Sequence, residues 1–428
     1  MTNCEKLKGF RDFYPDENAA RQKVFDKIEK AVQSCAFRKI DSPAVEEVDL
    51  YRIKSGEGIL DETFNFEDHG GREITLIPEL TPTVARMIQN RKDLNKPIKW
   101  YSIPRCWRYE SPQKGRLREF YQLNCDIIGS DNAKTDAELL YSATEVMRIL
   151  NLEDSYLIRL NDRRLLESIL ESYGISKTEE VMKVIDDKEK LTKKEFKEDL
   201  TTLGLSHSVA EKADELTDIS GKISQKTEEI ESKIPEDKKA REAFERLENL
   251  ETFLKAYNIR DKCRIDLSIV RGLDYYTGLV FEGFDSEGEY RAIFGGGRYN
   301  NYLQLFGNQE LPAVGFGMGD AVLEEIMREK NKWPDEELST DVYILNVDEN
   351  KSREALKLTK ELRKQEIRTE VNLSKRSFSN QLGYADNINA KYVVIVGDQT
   401  ASSRVEVKSM DDGSEEIVEK SDLVSYIK

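Results

Sequence analysis

Histidine is almost missing from this chain, which has His69 and His207 and no others in 428 residues. Neither stands at ligand spacing from a second His or Cys, so a zinc site and a Ser-His-Asp triad are excluded as the organising chemistry. His69 falls in the polar turn EDHGGRE and His207 at a helix start, and both read as solvated side chains. The five cysteines (Cys4, Cys35, Cys106, Cys125 and Cys263) are odd in number, scattered and without a C-x-x-C pair. That pattern predicts reduced, mostly buried thiols rather than a disulfide framework. No stretch approaches the roughly 18 consecutive apolar residues of a membrane span, and the opening MTNCEKLKGFRDFYPDE carries no apolar targeting segment. The expectation is a cytoplasmic protein without membrane contact. Basic charge is scarce as well: 66 Lys and Arg face 82 Asp and Glu, a net -16, which excludes a protein gripping nucleic acid through its whole surface. There is no G-x-x-x-x-G-K-[ST] phosphate loop, and the glycines of GFGMGD have the wrong spacing for a dinucleotide fingerprint.

The length exceeds one ordinary hydrophobic core and predicts two or three domains. Residues 17–37 put Val24, Ile28, Ala31, Val32 and Cys35 on one helical face, followed by the short strand RKIDS and Pro43. REITLIPEL and KWYSIPRCWRYES read as strands, and REFYQLNCDIIG as another. The turn-rich SPQKGRL between the last two predicts an antiparallel hairpin. A helix over 133–150 and the strand YLIRLN follow. From about 176 to 257 the sequence turns Lys/Glu-rich and helical, an inserted helical domain within a first domain of 1–330. RIDLSIVRGLDYYTGLVFEGF, YRAIFGGGRY and LPAVGFGMG read as three further strands, the last running into the helix DAVLEEIMREK. A polar linker over 331–340 precedes an α/β domain over 341–428, with alternating strands and helices that end in a strand and a helix. Within it, residues 351–376 carry nine Lys and Arg against four Glu, a net +5 that reads as a solvated helix face or a local nucleic-acid contact.

Three arginine-bearing stretches stand out in strand-like sequence: Arg108-Tyr109-Glu110 with the following Gly115 to Phe120, Val270 to Tyr276, and Gly295-Gly296-Gly297-Arg298-Tyr299. An arginine set in a sheet needs an anion or a carboxylate. By spacing alone the choice between a polyanion site and structural salt bridges stays open. Three successive glycines suit a backbone that passes close to a ligand.

RCWRYESPQKGRLREFYQLNCDIIG resembles motif 2 of the histidyl-tRNA synthetase family, and VRGLDYYTGLVFEG and AIFGGGRY resemble its two histidine signatures. LKGFRDFYP, LIPELTPTVAR, a motif 1 ending at Pro43 and the C-terminal domain extend the likeness over nearly the whole chain. The resemblance implies an α+β fold: a class II synthetase antiparallel β-sheet core flanked by helices, with the helical insertion and a C-terminal α/β anticodon-binding domain. It implies a histidine-tRNA ligase that uses ATP and Mg²⁺ and works as a homodimer, with L-histidine and tRNA(His) as partners. The alternative it leaves is a non-charging, histidine-sensing regulatory paralogue of the ATP phosphoribosyltransferase type, which would typically lack the C-terminal domain and much of the arginine set.

By that resemblance Arg108 would bridge the α-phosphate and the histidine carboxylate, and Arg271 would hold the same phosphate from the opposite strand. Both are the catalytic candidates and touch both substrates. Glu110 would orient ligand-side groups or pair with an arginine, Arg116 would meet the outer phosphates, and Phe120 would lie against the adenine. Glu79, Thr81 and Gln122 would receive the ammonium group. Asp126 and Tyr276 would face the imidazole, with Tyr275, Gly295 and Gly297 closing the pocket. Gln113 and Lys114 would approach the acceptor end of the tRNA, and no residue is assigned to a metal. The family's motif 3 usually ends in an arginine that covers the adenine and meets the γ-phosphate; here Val322 occupies that place. The histidine carboxylate is ionised at neutral pH, with a pKa of about 3.5, so the first step needs no general base.

Overall fold

Side-chain alternation in the segment Glu119–Ile128 decides how the main sheet faces. Leu123, Cys125 and Ile127 join the large core, while Gln122, Asn124 and Asp126 point to the opposite face. The structure, a computed structural model, describes residues 5–271, 275–288, 290–335, 339–397 and 403–428, without the side chains of 54–58. The chain divides into two compact units, Met1–Asp12 with Lys23–Trp333, and Phe13–Gln22 with Pro334–Lys428.

The sheet of the larger unit contains β1 (Arg38–Lys39), β2 (Ile98–Ser102), β3 (Arg105–Trp107), β4 (Glu119–Ile128), β5 (Tyr156–Asp162), β6 (Ser220–Gly221), β7 (Cys263–Asp266), β8 (Leu279–Asp285), β9 (Phe294–Arg298) and β10 (Ala313–Gly319). Their order is β1-β2-β4-β10-β9-β8-β5-β7-β6, with β3 paired onto β4. The run from β2 to β5 is antiparallel throughout, as expected, and the expected hairpin is present as β3 and β4. Parallel pairs occur beyond it, at β1 with β2 and at β5 with β7.

The stretch from Arg264 to Phe284, expected to be continuous strand, is two strands. β7 and β8 flank β5 on opposite sides, so β7 ends at Asp266 and β8 begins at Leu279 on the far side of β5. Arg271 therefore lies on a crossover loop and not on a strand, and Gly272, Leu273 and Asp274 of the same motif lie outside the described residues.

One face of the sheet is covered by α1 (Pro15–Ser34) from Lys23 onward, α3 (Ala133–Ile149) and α5 (Lys238–Ala256), and the unit also holds α2 (Thr81–Gln89), α4 (Thr178–Asp186) and α6 (Asp320–Glu329). Asn132 caps α3 by accepting from the Thr135 N–H at 2.9 Å, and Asp237 caps α5 by accepting from the Ala240 N–H at 3.0 Å. The helices between 176 and 257 bury Val181, Leu200, Ala213, Leu247 and Leu254 in the same core as the sheet, and β6, from this stretch, adds a strand at its edge. Cys35, Cys106, Cys125 and Cys263 are free and buried, as expected, while Cys4 lies outside the described residues. His69 and His207 are exposed.

The smaller unit carries a sheet ordered β12-β11-β13-β14-β15, with β11 (Thr340–Asn346), β12 (Thr369–Val371), β13 (Ala390–Val396), β14 (Arg404–Ser409) and β15 (Glu415–Glu419). Helices α7 (Ser352–Lys364) and α8 (Phe378–Asn387) pack on it. The terminal stretch holds an antiparallel pair of strands before its last short helix, where one strand was expected.

Candidate active site

The site face of the sheet is floored with glycine. On β10, Val314, Phe316 and Met318 enter the core, which leaves Gly315 and Gly317 on the other face; Gly295 and Gly297 of β9 lie beside them in register. Side chains of this chain fill the space the glycines leave. A Cβ on Gly295 would stand 1.4 Å from an Arg271 guanidinium nitrogen, and one on Gly297 would stand 2.7 Å from the Tyr276 ring. A Cβ on Gly315 would meet Asp126 at 2.1 Å, and one on Gly317 would meet Gln122 at 1.9 Å. The 295–297 backbone was expected to pass close to a ligand; in the structure the space beside Gly295 and Gly297 is taken by the side chains of Arg271 and Tyr276. Gly315 and Gly317 are site residues the sequence reading missed, although their spacing of two within a strand was a usable signal.

At the inner end, Asp126 is 6% exposed and accepts a hydrogen bond from the Tyr299 hydroxyl. Burial pushes the Asp126 carboxyl up to about 7, and the Tyr299 bond offsets this only in part. Burial, and then the neighbouring Asp126, raise the Tyr299 phenol well above its ordinary value, so it keeps its proton and remains the donor. Tyr275 packs against Tyr276, Tyr299 and Tyr302 with ring centroids 4.7, 5.9 and 4.8 Å away. The Glu79 carboxylate acts electrostatically on Tyr275, Tyr276 and Tyr302, which places it at this tyrosine cluster. Thr81 opens α2 two residues further on. Gln122 donates to Asn124 Oδ1 at 3.2 Å. The structure thus brings Glu79, Gln122, Asp126, Tyr275 and Tyr276 to one end of the site; Tyr299, noted in its motif without a role, belongs with them.

The outer end is a cavity of about 630 Å³ lined by Glu62, Glu110, Ser111, Gln113, Arg116, Asp186, Arg271 and Glu282. Arg271 pairs with Glu282 at 3.1 Å, and its Nε is buried without a hydrogen-bond partner among the described residues. Burial opposes its charge, but Tyr276, Glu282 and Tyr275 more than offset this, so its pKa stands above the ordinary arginine value. For Glu282, burial outweighs Arg271 and raises the carboxyl. The backbone of Arg271 has φ 52°, left-handed and unfavourable by about 1–2 kcal/mol for a residue with a Cβ. Arg163, 9% exposed, holds it there by donating to the carbonyls of Val270 at 3.2 Å and Arg271 at 3.1 Å. Neither Arg163 nor Asp186 carried a sequence signal, whereas Glu282, a lone acid inside VFEGF, did.

Arg108 donates from Nε to the Pro78 carbonyl at 3.0 Å, next to Glu79, and its guanidinium lies 5.3 Å from the Phe120 ring centre. Phe120 is partly buried against Tyr51, Ile59, Ile77 and Cys106. Arg116 pairs with Glu110 at 2.8 Å, so Glu110 has the arginine partner that was one of its two expected roles. The loop between β3 and β4 turns at Gln113 to Arg116, where Lys114 Nζ stands 4.4 Å over the Tyr290 ring. Val322 is buried, 7% exposed, and lies 3.0 Å from where a Cβ on Gly115 would stand.

The third arginine stretch resolves the other way. Arg298 is 1% exposed and is held by Asp136 of α3, with its Nε 2.9 Å from Oδ1, and by the Ser130 carbonyl at 3.0 Å. It is a structural ion pair, and its strand position behind the glycine floor explains why.

In the smaller unit the +5 stretch is partly used internally. Arg363 donates to the Thr369 carbonyl at 2.8 Å and Arg368 pairs with Asp341 at 2.8 Å. Arg353, Lys357 and Lys360 are exposed on α7, spaced to share one face, with no ion-pair partner among the described residues.

Comparisons with known proteins agree with this geometry. A family model described as Histidyl-tRNA synthetase matches residues 9–321, and one described as Anticodon binding domain matches residues 341–428. The chain is 41% identical over 433 residues to Histidine--tRNA ligase of Thermoplasma volcanium, covering 99% of this chain and 98% of that one. It is 42% identical to the protein of the same name from Haloarcula marismortui, covering 96% and 94%. The crystal structure of histidyl-tRNA synthetase from Nostoc sp. PCC 7120 superposes with a TM-score of 0.80 at 25% identity, over 100% of this chain and 99% of that one.

Proposed function

Since the chain belongs to the histidyl-tRNA synthetase family and is a histidine-tRNA ligase of class II fold, we propose that its glycine-floored face binds L-histidine at the inner end and ATP at the outer end. The activity runs in two steps. The histidine carboxylate attacks the α-phosphorus, the bond to the departing pyrophosphate breaks, and histidyl-adenylate forms; a hydroxyl of the terminal tRNA ribose then takes the histidyl group and AMP leaves. The regulatory-paralogue alternative is not favoured, since curated ligases match over nearly the full length and the anticodon-binding domain is present.

The observation that carries the reading is the Arg271 guanidinium, laid over Gly295 at the cavity wall, paired with Glu282 and with an Nε that has no hydrogen-bond partner among the described residues. Charge accumulates on the α-phosphate as the fifth oxygen arrives, and a guanidinium fixed beforehand offsets it without reorganisation. In this reading Arg108 and Arg271 take the α-phosphate from two sides, Arg116 takes the outer phosphates when it exchanges Glu110 for them, and Phe120 carries the adenine. Glu79, Thr81 and Gln122 accept the ammonium donors. Asp126 and Tyr276 meet the imidazole nitrogens, and an amino acid lacking those nitrogens would leave both groups buried and unpaired. Gln113 and Lys114, at the loop tip, meet the tRNA acceptor end, and α7 supplies cations for the anticodon arm.

Magnesium fits as the companion of ATP. Glu62, Glu110 and Glu282 line the cavity, and no three-residue metal cage is present among the described residues, which suits an ion held largely by phosphate oxygens with one or two carboxylates. Bound there, it would neutralise phosphate charge. We further propose a cytoplasmic homodimer paired through the segment that ends at Pro43; a monomer active at nanomolar concentration would refute the dimer. No helix among the described residues is long and apolar enough to cross a membrane. The decisive test is exchange of labelled pyrophosphate into ATP with each of the twenty amino acids. Histidine alone should support it, and exchange with a different amino acid would overturn the pocket assignment.

A further inference from the structure

The cations around the cavity have partners: Arg108 has the Pro78 carbonyl, Arg116 has Glu110, Arg118 has the Glu110 carbonyl and Arg271 has Glu282. Arg291 differs. It is exposed on the connection between β8 and β9 and has no hydrogen-bond or ion-pair partner among the described residues. Arg116 and Glu110, both in the cavity lining, act electrostatically on it; partial burial and then repulsion from Arg116 lower its pKa.

The sheet explains how it gets there. β9 begins at Phe294, opposite Met318 of β10, and α6 follows β10 directly, so Arg291 lies three residues before the strand that pairs beside the start of α6. The β3–β4 loop closes on the same place: Gly115 packs on Val322 and donates its N–H to Glu325 at 3.1 Å, while Lys114 covers the ring of Tyr290, whose hydroxyl donates to Glu329 of α6. The residue next to Arg291 thus packs against the loop that carries Arg116, and two guanidinium groups act on the one Glu110 carboxylate, an arrangement that favours a polyanion.

We propose that Arg291, on the β8–β9 connection, binds the terminal phosphates of ATP together with Arg116, supplying a charge that Val322 does not. The proposal rests on the ATP site described above and adds to it a phosphate ligand from outside the arginine-bearing motifs.

The test uses full-length enzyme carrying Arg291→Gln, with Arg291→Lys as the conservative variant. Histidine-dependent pyrophosphate exchange is measured against ATP and against histidine, and a non-hydrolysable sulfamoyl mimic of histidyl-adenylate, which lacks the β- and γ-phosphates, is titrated by calorimetry. For Arg291→Gln the KM for ATP should rise at least about tenfold, the scale of one charge-assisted hydrogen bond. The KM for histidine and the affinity for the mimic should not change, and Arg291→Lys should recover part of the loss. An unchanged KM for ATP would overturn the proposal. So would an equal loss of ATP and mimic binding, which would move Arg291 to the nucleoside or to the fold. Wild-type enzyme without histidine-dependent exchange would instead overturn the ligase site itself, and the proposal with it.

Discussion

The two ends of the active site are built on opposite principles. At the inner end Asp126, Tyr276 and Tyr299 are buried, and the Tyr299 hydroxyl donates to Asp126, whose carboxyl is driven up to about 7. At the outer end Arg116 and Arg271 line an open cavity, each with one carboxylate partner, Glu110 and Glu282, and one Arg271 guanidinium nitrogen is buried without a hydrogen-bond partner among the described residues. Selectivity for a small polar ring is served by a closed pocket, in which a wrong ligand leaves groups without partners. Catalysis at phosphorus is served by cations held apart until the triphosphate supplies the missing charge. Arg298 and Arg271 mark the same divide on either side of the glycine strand: the first is enclosed by Asp136, the second is turned toward the cavity.

The sharpest way to break this comparison is Arg271→Ala. If the outer end works by fixed charge, histidine-dependent pyrophosphate exchange should fall at least about 100-fold, the scale for losing a preorganised donor at a developing anion. Gly295→Ala should act in the same direction without touching a charge, because its methyl group would occupy the place of the Arg271 guanidinium. Normal exchange in both variants would remove Arg271 from the mechanism. A smaller effect is expected in the other unit. Reversing Arg353, Lys357 and Lys360 to Glu should raise the KM for tRNA by more than about tenfold at moderate salt while leaving exchange intact, since phosphate contacts are electrostatic. Equal changes in the two assays would take tRNA recognition away from α7.

The same comparison shows what was legible in the residues. Gln122 and Asp126, named from the resemblance, sit in the ordered strand β4, where alternation sets them apart from Leu123, Cys125 and Ile127 of the core. Arg271 was legible as a residue but not as a conformation, because a strand-like string hid a crossover whose need arises only from β7 and β8 flanking β5. Arg298 lay in as strong a motif as Arg271 and proved structural; its partner Asp136 is 162 positions away, and no local pattern reports such a pair. Arg163 and Asp186 were silent for the same reason, each meeting the site through tertiary packing alone.

The smallest expected effect concerns the inner end and follows from the raised Asp126 carboxyl. An acid whose pKa moves from 3.8 to about 7 on folding holds its proton longer in the native state, so native protein binds more protons between those values. Its contribution to stability is fully present below pH 3.8 and is lost as pH rises toward about 7. The difference is worth at most about 4 kcal/mol. Asp126→Asn removes the titration, so the stability of free enzyme measured by urea unfolding should lose that component of its decline between pH 5 and 8. If the ionised carboxylate is the form that receives an imidazole N–H, the wild-type KM for histidine should also rise as pH falls through 7, by about tenfold over two pH units, beyond the change due to histidine's own ring, whose pKa is about 6.5. A pH profile of the same shape in the Asn variant would assign the whole dependence to the ligand, and the inner end would then be selective by shape and not by charge.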